Sequence, residues 1–184
     1  MAEDLLSETD GDRLYGFLRM FQLRKFPRGP KRLLELANSS DDGITRAAMA
    51  ALVHFAHPEI RKLALQAAKH PQGIGLAIKM LTLNRGAGDF QIIEGLLKSA
   101  VDADTVHDLG WGFRHFREVN KSTDAEESLL LLYETGPCAL CRYSFITDLM
   151  GIARFPDWMR KECLFDADSE TRRLAAGLDS VNQI

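Results

Sequence analysis

Cysteine is scarce. Three in 184 residues are too few for a disulfide framework, and that density fits a reducing compartment. No apolar run approaches the ~20 residues that a membrane-spanning helix needs. The opening Met1-Ala2-Glu3-Asp4-Leu5-Leu6 is acidic and lacks the basic segment and apolar stretch of a secretory leader. The β-branched residues are scattered, and no segment of useful length alternates apolar with polar positions, so no strand is predicted. A phosphate-cradling glycine loop is missing too. Arg85-Gly86-Ala87-Gly88-Asp89 has neither the preceding strand nor the later glycine of a dinucleotide fingerprint. No serine sits in a nucleophile elbow, and no nucleophile, base and orienting group can be assembled. The expectation is a soluble, cytoplasmic protein that is not an enzyme and holds no cofactor or metal.

What the chain does contain is helix. Hydrophobic residues at 46% and charged residues at 27% are globular proportions, which exclude global disorder. With no long linker, residues 1–184 are expected to form a single domain, 1–11 frayed and 12–38 an atypical N-terminal cap. Leu14, Phe17, Leu18 and Phe21 define a first helix, capped by Asp10 or Asp12. A short helix follows from Pro30 to about Asn38, with proline in its first turn. Ile44, Ala47, Ala48, Ala51, Leu52 and Phe55 make the next stripe, and Ile60, Leu63, Ala64, Ala67 and Ala68 repeat it beyond His57-Pro58. A helix over Pro71–Asn84 turns Ile74, Ala77, Ile78 and Leu81 inward. Asp89 is expected to cap a helix carrying Ile93, Leu96, Leu97, Ala100 and Val101, and Asp102 or Asp104 one carrying Val106, Leu109, Phe113 and Phe116. Thr123 with Glu126 is a capping-box pattern before Leu129 to Leu132. Residues 138–153, about 157–165 and 168–181 complete about eleven helices, divided by proline and aspartate corners.

One helical phrase recurs. His57-Pro58-Glu59-Ile60-Arg61-Lys62-Leu63-Ala64 and Asp168-Ser169-Glu170-Thr171-Arg172-Arg173-Leu174-Ala175 each place a starter, an acid, an arginine one turn in, and an alanine that admits a close neighbour. Thr45-Arg46 with Ala50 is a weaker copy. On Pro58, Arg61 and Ala64, and on Asp168, Arg172 and Ala175, the chain resembles HEAT-like helical repeats, related to armadillo repeats, over about 41–83 and 157–181. The segment from Tyr133 through Pro137-Cys138-Ala139-Leu140-Cys141-Arg142 to Arg172 is similar to C-terminal parts of bacterial HEAT-repeat proteins. The resemblance implies an all-α, right-handed solenoid of about five helical pairs whose surface binds a protein partner. It also implies a structural arginine at 61 and 172 that reaches an acid in a neighbouring helix or loop.

Few residues suggest chemistry. Cys138 and Cys141 form a Cys-x-x-Cys at a helix start, a redox pattern if the helix dipole lowers the first thiol. A zinc reading needs two further ligands, such as Cys163 and one histidine. Cys138, Cys141, Phe145, Leu149 and Ile152 also share one helix face, so packing in the core is the expectation. His54 and His57 are spaced i, i+3, but Pro58 puts His57 at a helix end, where capping suits it better than metal. His107 and His115 lie too far apart on one helix to share an ion. Gly110-Trp111-Gly112 costs helix stability, roughly 1 kcal/mol per glycine relative to alanine, and suggests close packing, a kink, or a ligand contact by Trp111.

Charge is uneven. Arg13, Arg19, Arg24, Lys25, Arg28, Lys31 and Arg32 fall in a span with no acid, while the remaining 16 basic residues face all 26 acidic ones. These seven are the candidate partner-binding residues. The function expected is a non-enzymatic protein-binding scaffold or adaptor. The alternative is a nucleic-acid-binding HEAT-like module that grips phosphates through segment 13–32, with Tyr15 and Phe26 available for stacking.

Overall fold

Local signals at the helix ends explain where the elements begin. The computed structural model describes residues 2–100, 102–136 and 138–177, so the expectations for Val101, Pro137 and 178–181 fall outside it. Among the described residues there are twelve α-helices, two short 3-10 turns and no strand, an all-α fold. The chain forms two compact units, Met1–Ala87 and Gly88–Ile184.

The first unit contains α1 (Ala2–Ser7), α2 (Gly11–Phe21), α3 (Lys31–Leu36), α4 (Asp42–Leu52), α5 (Pro58–Ala67), a 3-10 turn at Pro71–Gly73, and α6 (Ile74–Leu81). Asp10 caps α2 by accepting the Arg13 N–H at 3.0 Å, Asp41 caps α4 through Ile44 at 2.9 Å, and His57 Nδ1 caps α5 through Glu59 at 3.2 Å. Within the stretch 1–11 expected to fray, α1 is helical and Leu5 is wholly buried. Arg32 holds it there, donating to the carbonyls of Leu5 and Glu8 at 3.3 and 3.0 Å. The apolar stripes meet as their spacing requires. Leu14, Leu18, Ala47, Ala48, Ala51, Ile60, Ala64, Ala77 and Ile78 are buried, while Phe17, Leu63 and Ala67 are half-buried. Alternate helices touch, α2 with α4 and α4 with α6, and α3 packs on α4 and α5 on α6.

A buried amide closes this unit's corners. Asn84 Oδ1 accepts the His57 N–H at 2.7 Å, and its Nδ2 donates to the carbonyls of Phe55 and Met80, both at 2.8 Å. Arg61 donates to the Asn84 carbonyl at 3.1 Å.

The second unit contains α7 (Asp89–Lys98), α8 (Ala103–Val119), a 3-10 turn at Thr123–Ala125, α9 (Glu126–Thr135), α10 (Ala139–Gly151), α11 (Asp157–Cys163) and α12 (Ser169–Ala175). Gly88, not Asp89, takes the cap position of α7, because the chain enters there with φ 79°, a conformation open to glycine. The capping box is replaced by a cap one residue earlier, where Ser122 Oγ accepts the Asp124 N–H at 3.2 Å and starts the 3-10 turn. Val106, Leu109, Phe113 and Phe116 are buried as their spacing predicts. Phe90 lies edge-on to Phe116 with ring centroids 5.2 Å apart, in the geometry aromatic quadrupoles favour. Here too alternate helices touch, α7 with α9, α8 with α10, and α10 with α12.

Candidate functional site

The close approach of α8 to α10 begins at a glycine. A Cβ at Gly110 would stand 3.1 Å from Phe145 Cζ and 3.5 Å from Leu132 Cδ2, so the glycine lets Phe145 lie against the α8 backbone. Of the roles suggested for Gly110-Trp111-Gly112, close packing is realised at Gly110. That contact places His107, one turn earlier on α8, beside the start of α10. The Sγ atoms of Cys138 and Cys141 and a ring nitrogen of His107 lie within 4.8 Å of one another.

The two thiols differ. Cys138 sits at the cap position of α10 with an extended backbone (φ −98°, ψ 119°), and Cys141 lies one turn in. The backbone N–H of Cys141, then its side chain, stabilise the Cys138 thiolate and lower that thiol below its ordinary value. Burial, followed by the neighbouring Cys138, pushes Cys141 up to about 11. His107 Nδ1 is 3.5 Å from Cys141 Sγ, and Trp111 Nε1–H donates to His107 Nε2 at 3.2 Å. Gly110, Trp111, Arg114, Leu140, Ser144 and Phe145 join Cys141 around a hollow of about 150 Å³. Core packing of both cysteines is therefore corrected. Each is half-buried, because α10 turns Phe145 and Leu149 fully inward while its first turn stays at the surface. Cys163 stands elsewhere, wholly buried, with its Sγ 3.4 Å from the Tyr133 hydroxyl.

The basic segment is spread over several partners. Arg13 pairs with Glu8 at 3.0 Å, Arg28 with Glu3, and Arg32 with Glu35 at 3.2 Å. Arg24 lies over the Phe21 ring at 5.5 Å and Lys25 over Phe55 at 5.0 Å. Arg19 and Lys31 are exposed. Phe26, considered for base stacking, is buried edge-on against Phe21, whereas Tyr15 is exposed.

Two other histidines serve structure. His54 Nε2 is 2.9 Å from the Gln22 carbonyl, and His57 caps α5. The recurring arginines grip backbone carbonyls: Arg61 that of Asn84, and Arg172 those of Asp166 and Ala167 at 2.6 and 2.9 Å. Sequence reasoning missed His107 as a neighbour of the cysteines, since 34 residues separate it from Cys141. The available signal was Gly110, which marked where α8 would be approached closely. No protein-family model, curated protein or solved structure matches the chain.

Proposed function

We propose that the chain is a protein-binding scaffold or adaptor built from stacked helical hairpins, a HEAT-like right-handed solenoid of about five pairs, acting in the cytoplasm. The contacts between alternate helices within each unit support the stacking. Three free cysteines suit a reducing compartment. The observation that carries the binding reading is the pair of large apolar side chains at the 150 Å³ hollow: Leu140 is 73% and Trp111 52% exposed, flanking a depression backed by buried Phe145. The partner is a protein that seats an apolar side chain between them, since aromatic and aliphatic anchors supply most interface energy.

Capture of partners by the immobilised chain tests this, with Trp111→Ser/Leu140→Asp and Arg24→Glu/Lys25→Glu/Arg28→Glu as matched baits. The partner should be lost from the first variant and kept by the second. Identical captures from wild type and the Trp111/Leu140 variant overturn the reading. The nucleic-acid alternative rests on Arg19, Arg24, Lys25 and Lys31, which stay exposed after Glu3, Glu8 and Glu35 have engaged the other three cations. It requires duplex binding at low salt that weakens steeply as salt rises and vanishes in the charge-reversed variant.

A further inference from the structure

The cluster of His107, Cys138 and Cys141 fits no part of a purely passive scaffold. We propose that Cys138 and Cys141 form a redox-active dithiol that reduces a disulfide substrate, with Cys138 as attacking thiolate, Cys141 as resolving thiol and His107 as the residue that positions Cys141. The site shares Trp111 and the hollow with the scaffold reading, but a small disulfide probes it without any partner, so the two readings fail separately.

Three features support the assignment. The sulfurs occupy the cap position and the first turn of a 13-residue helix, whose N-terminal dipole favours an anion at Cys138. Both sulfurs are half-buried, and only the resolving Cys141 lines the hollow. The imidazole is oriented from outside: an indole N–H can only donate, so Trp111 takes the Nε2 lone pair and leaves the neutral ring's proton on Nδ1. His107 therefore presents an N–H to Cys141 Sγ at 3.5 Å, and the Cys138 sulfur lies within 4.8 Å of both. The order Trp111, His107, Cys141 is a chain of donors that fixes the resolving sulfur beside the attacking one. The lowered Cys138 and raised Cys141 thiols agree with it.

The same three donors are also the number that a catalytic zinc site uses, with a fourth position left open. A tetrahedral zinc with these donors spaces them about 3.5–3.8 Å apart, which the 3.5 Å between Nδ1 and Sγ would satisfy. What favours the dithiol is the Trp111 N–H on Nε2, which assigns the neutral ring's proton to Nδ1, the nitrogen a metal would need bare. Cys163, the further ligand suggested by sequence, is engaged with Tyr133.

The reaction balances as two exchanges. The Cys138 thiolate attacks one sulfur of R–S–S–R′, forming Cys138–S–S–R and expelling R′–S⁻. Cys141 gives up its proton and attacks the Cys138 sulfur, forming the Cys138–Cys141 disulfide and expelling R–S⁻, which takes that proton. The substrate gains two electrons and the dithiol loses two. Nδ1–H of His107 stabilises the Cys141 thiolate as it forms. A second dithiol, protein or low-molecular-weight, must return the pair to the reduced state.

The experiment treats the reduced full chain with glutathione disulfide, and separately with a disulfide-bonded peptide carrying an apolar residue beside its cysteine. Peptide mapping should find the Cys138–Cys141 disulfide, with Cys163 left as a thiol. Cys141→Ser should trap a mixed disulfide on Cys138, and Cys138→Ser should react at the rate of an ordinary thiol. Faster reaction with the peptide identifies a polypeptide disulfide as the substrate, and equal rates identify a small disulfide; either supports the dithiol. His107→Ala should leave formation of the mixed disulfide nearly unchanged and slow its resolution about tenfold or more, the loss expected for a hydrogen bond to a forming charge. A purely structural role would not split the two rates. Stoichiometric zinc in the purified protein, released only when His107 or either cysteine is replaced, overturns the proposal in favour of a metal centre. Absence of the Cys138–Cys141 disulfide in a chain whose folding is intact by circular dichroism overturns it as well.

Discussion

At the scale of single residues, the sequence foretold chemistry well where a side chain answers to its own backbone. Asp10, Asp102 and Asp168 cap the helices they precede, because a short acceptor before an apolar stripe needs only local geometry. It foretold less where a side chain answers to another helix, as with His107 and Cys141. Asp168 allows a pH test. The Thr171 backbone N–H holds its carboxyl below the ordinary 3.8, so the folded state releases this proton more readily than the unfolded one. Its stabilisation is present above the unfolded value and fades as pH falls through the folded one. Asp168→Asn should keep the cap at neutral pH and flatten the acid limb of a stability profile, whereas Asp168→Ala should cost about 1 kcal/mol at pH 7 by urea denaturation. Asp148 has the opposite sign. Burial raises its carboxyl despite the Arg117 partner, so its own contribution declines as pH rises above about 3.8. Asp148→Asn should remove that declining component, as read from the same titration.

At the scale of elements, the 3.6-residue stripes located the main helices and their inner faces, while short connections hid how the helices start. Ala64 is wholly buried on α5, which packs on α6. Ala64→Leu should lower stability by on the order of 1–3 kcal/mol, measured as a shift in the denaturation midpoint. The predicted helix over Pro71–Asn84 divides into a 3-10 turn and α6, and at their junction a Cβ on Gly73 would lie 2.4 Å from the Ala67 carbonyl oxygen. Gly73→Ala should therefore destabilise although alanine is the better helix former, and a gain in thermal midpoint would refute the close approach. The acidic start illustrates the opposite failure of local reasoning. Residues 2–7 form a helix because Arg32, far along the chain, reaches back to the Leu5 and Glu8 carbonyls.

At the scale of the whole molecule, helical spacing throughout and the lack of alternating segments were enough to predict an all-helical chain, and among the described residues no helix is long and apolar enough to cross a membrane. How the basic segment would distribute its charge was not legible, since its acidic partners Glu3 and Glu8 lie in a stretch that looked too polar to order. Reversing Arg24, Lys25 and Arg28 together should leave the thermal midpoint nearly unchanged, because exposed pairs contribute about 0–1 kcal/mol each. If the segment binds a duplex, each lost phosphate contact should also reduce the salt slope by about one. The corner at Asn84 has a consequence of another kind. The His57 amide lies in a short connection between two helices, where solvent normally replaces a proton quickly, yet the buried carboxamide holds it at 2.7 Å. Its deuterium uptake should therefore keep pace with the interior of α6 instead of the neighbouring turn, and Asn84→Ala should turn that slow amide into a fast one, making a single loop proton a reporter for the opening of the entire first unit.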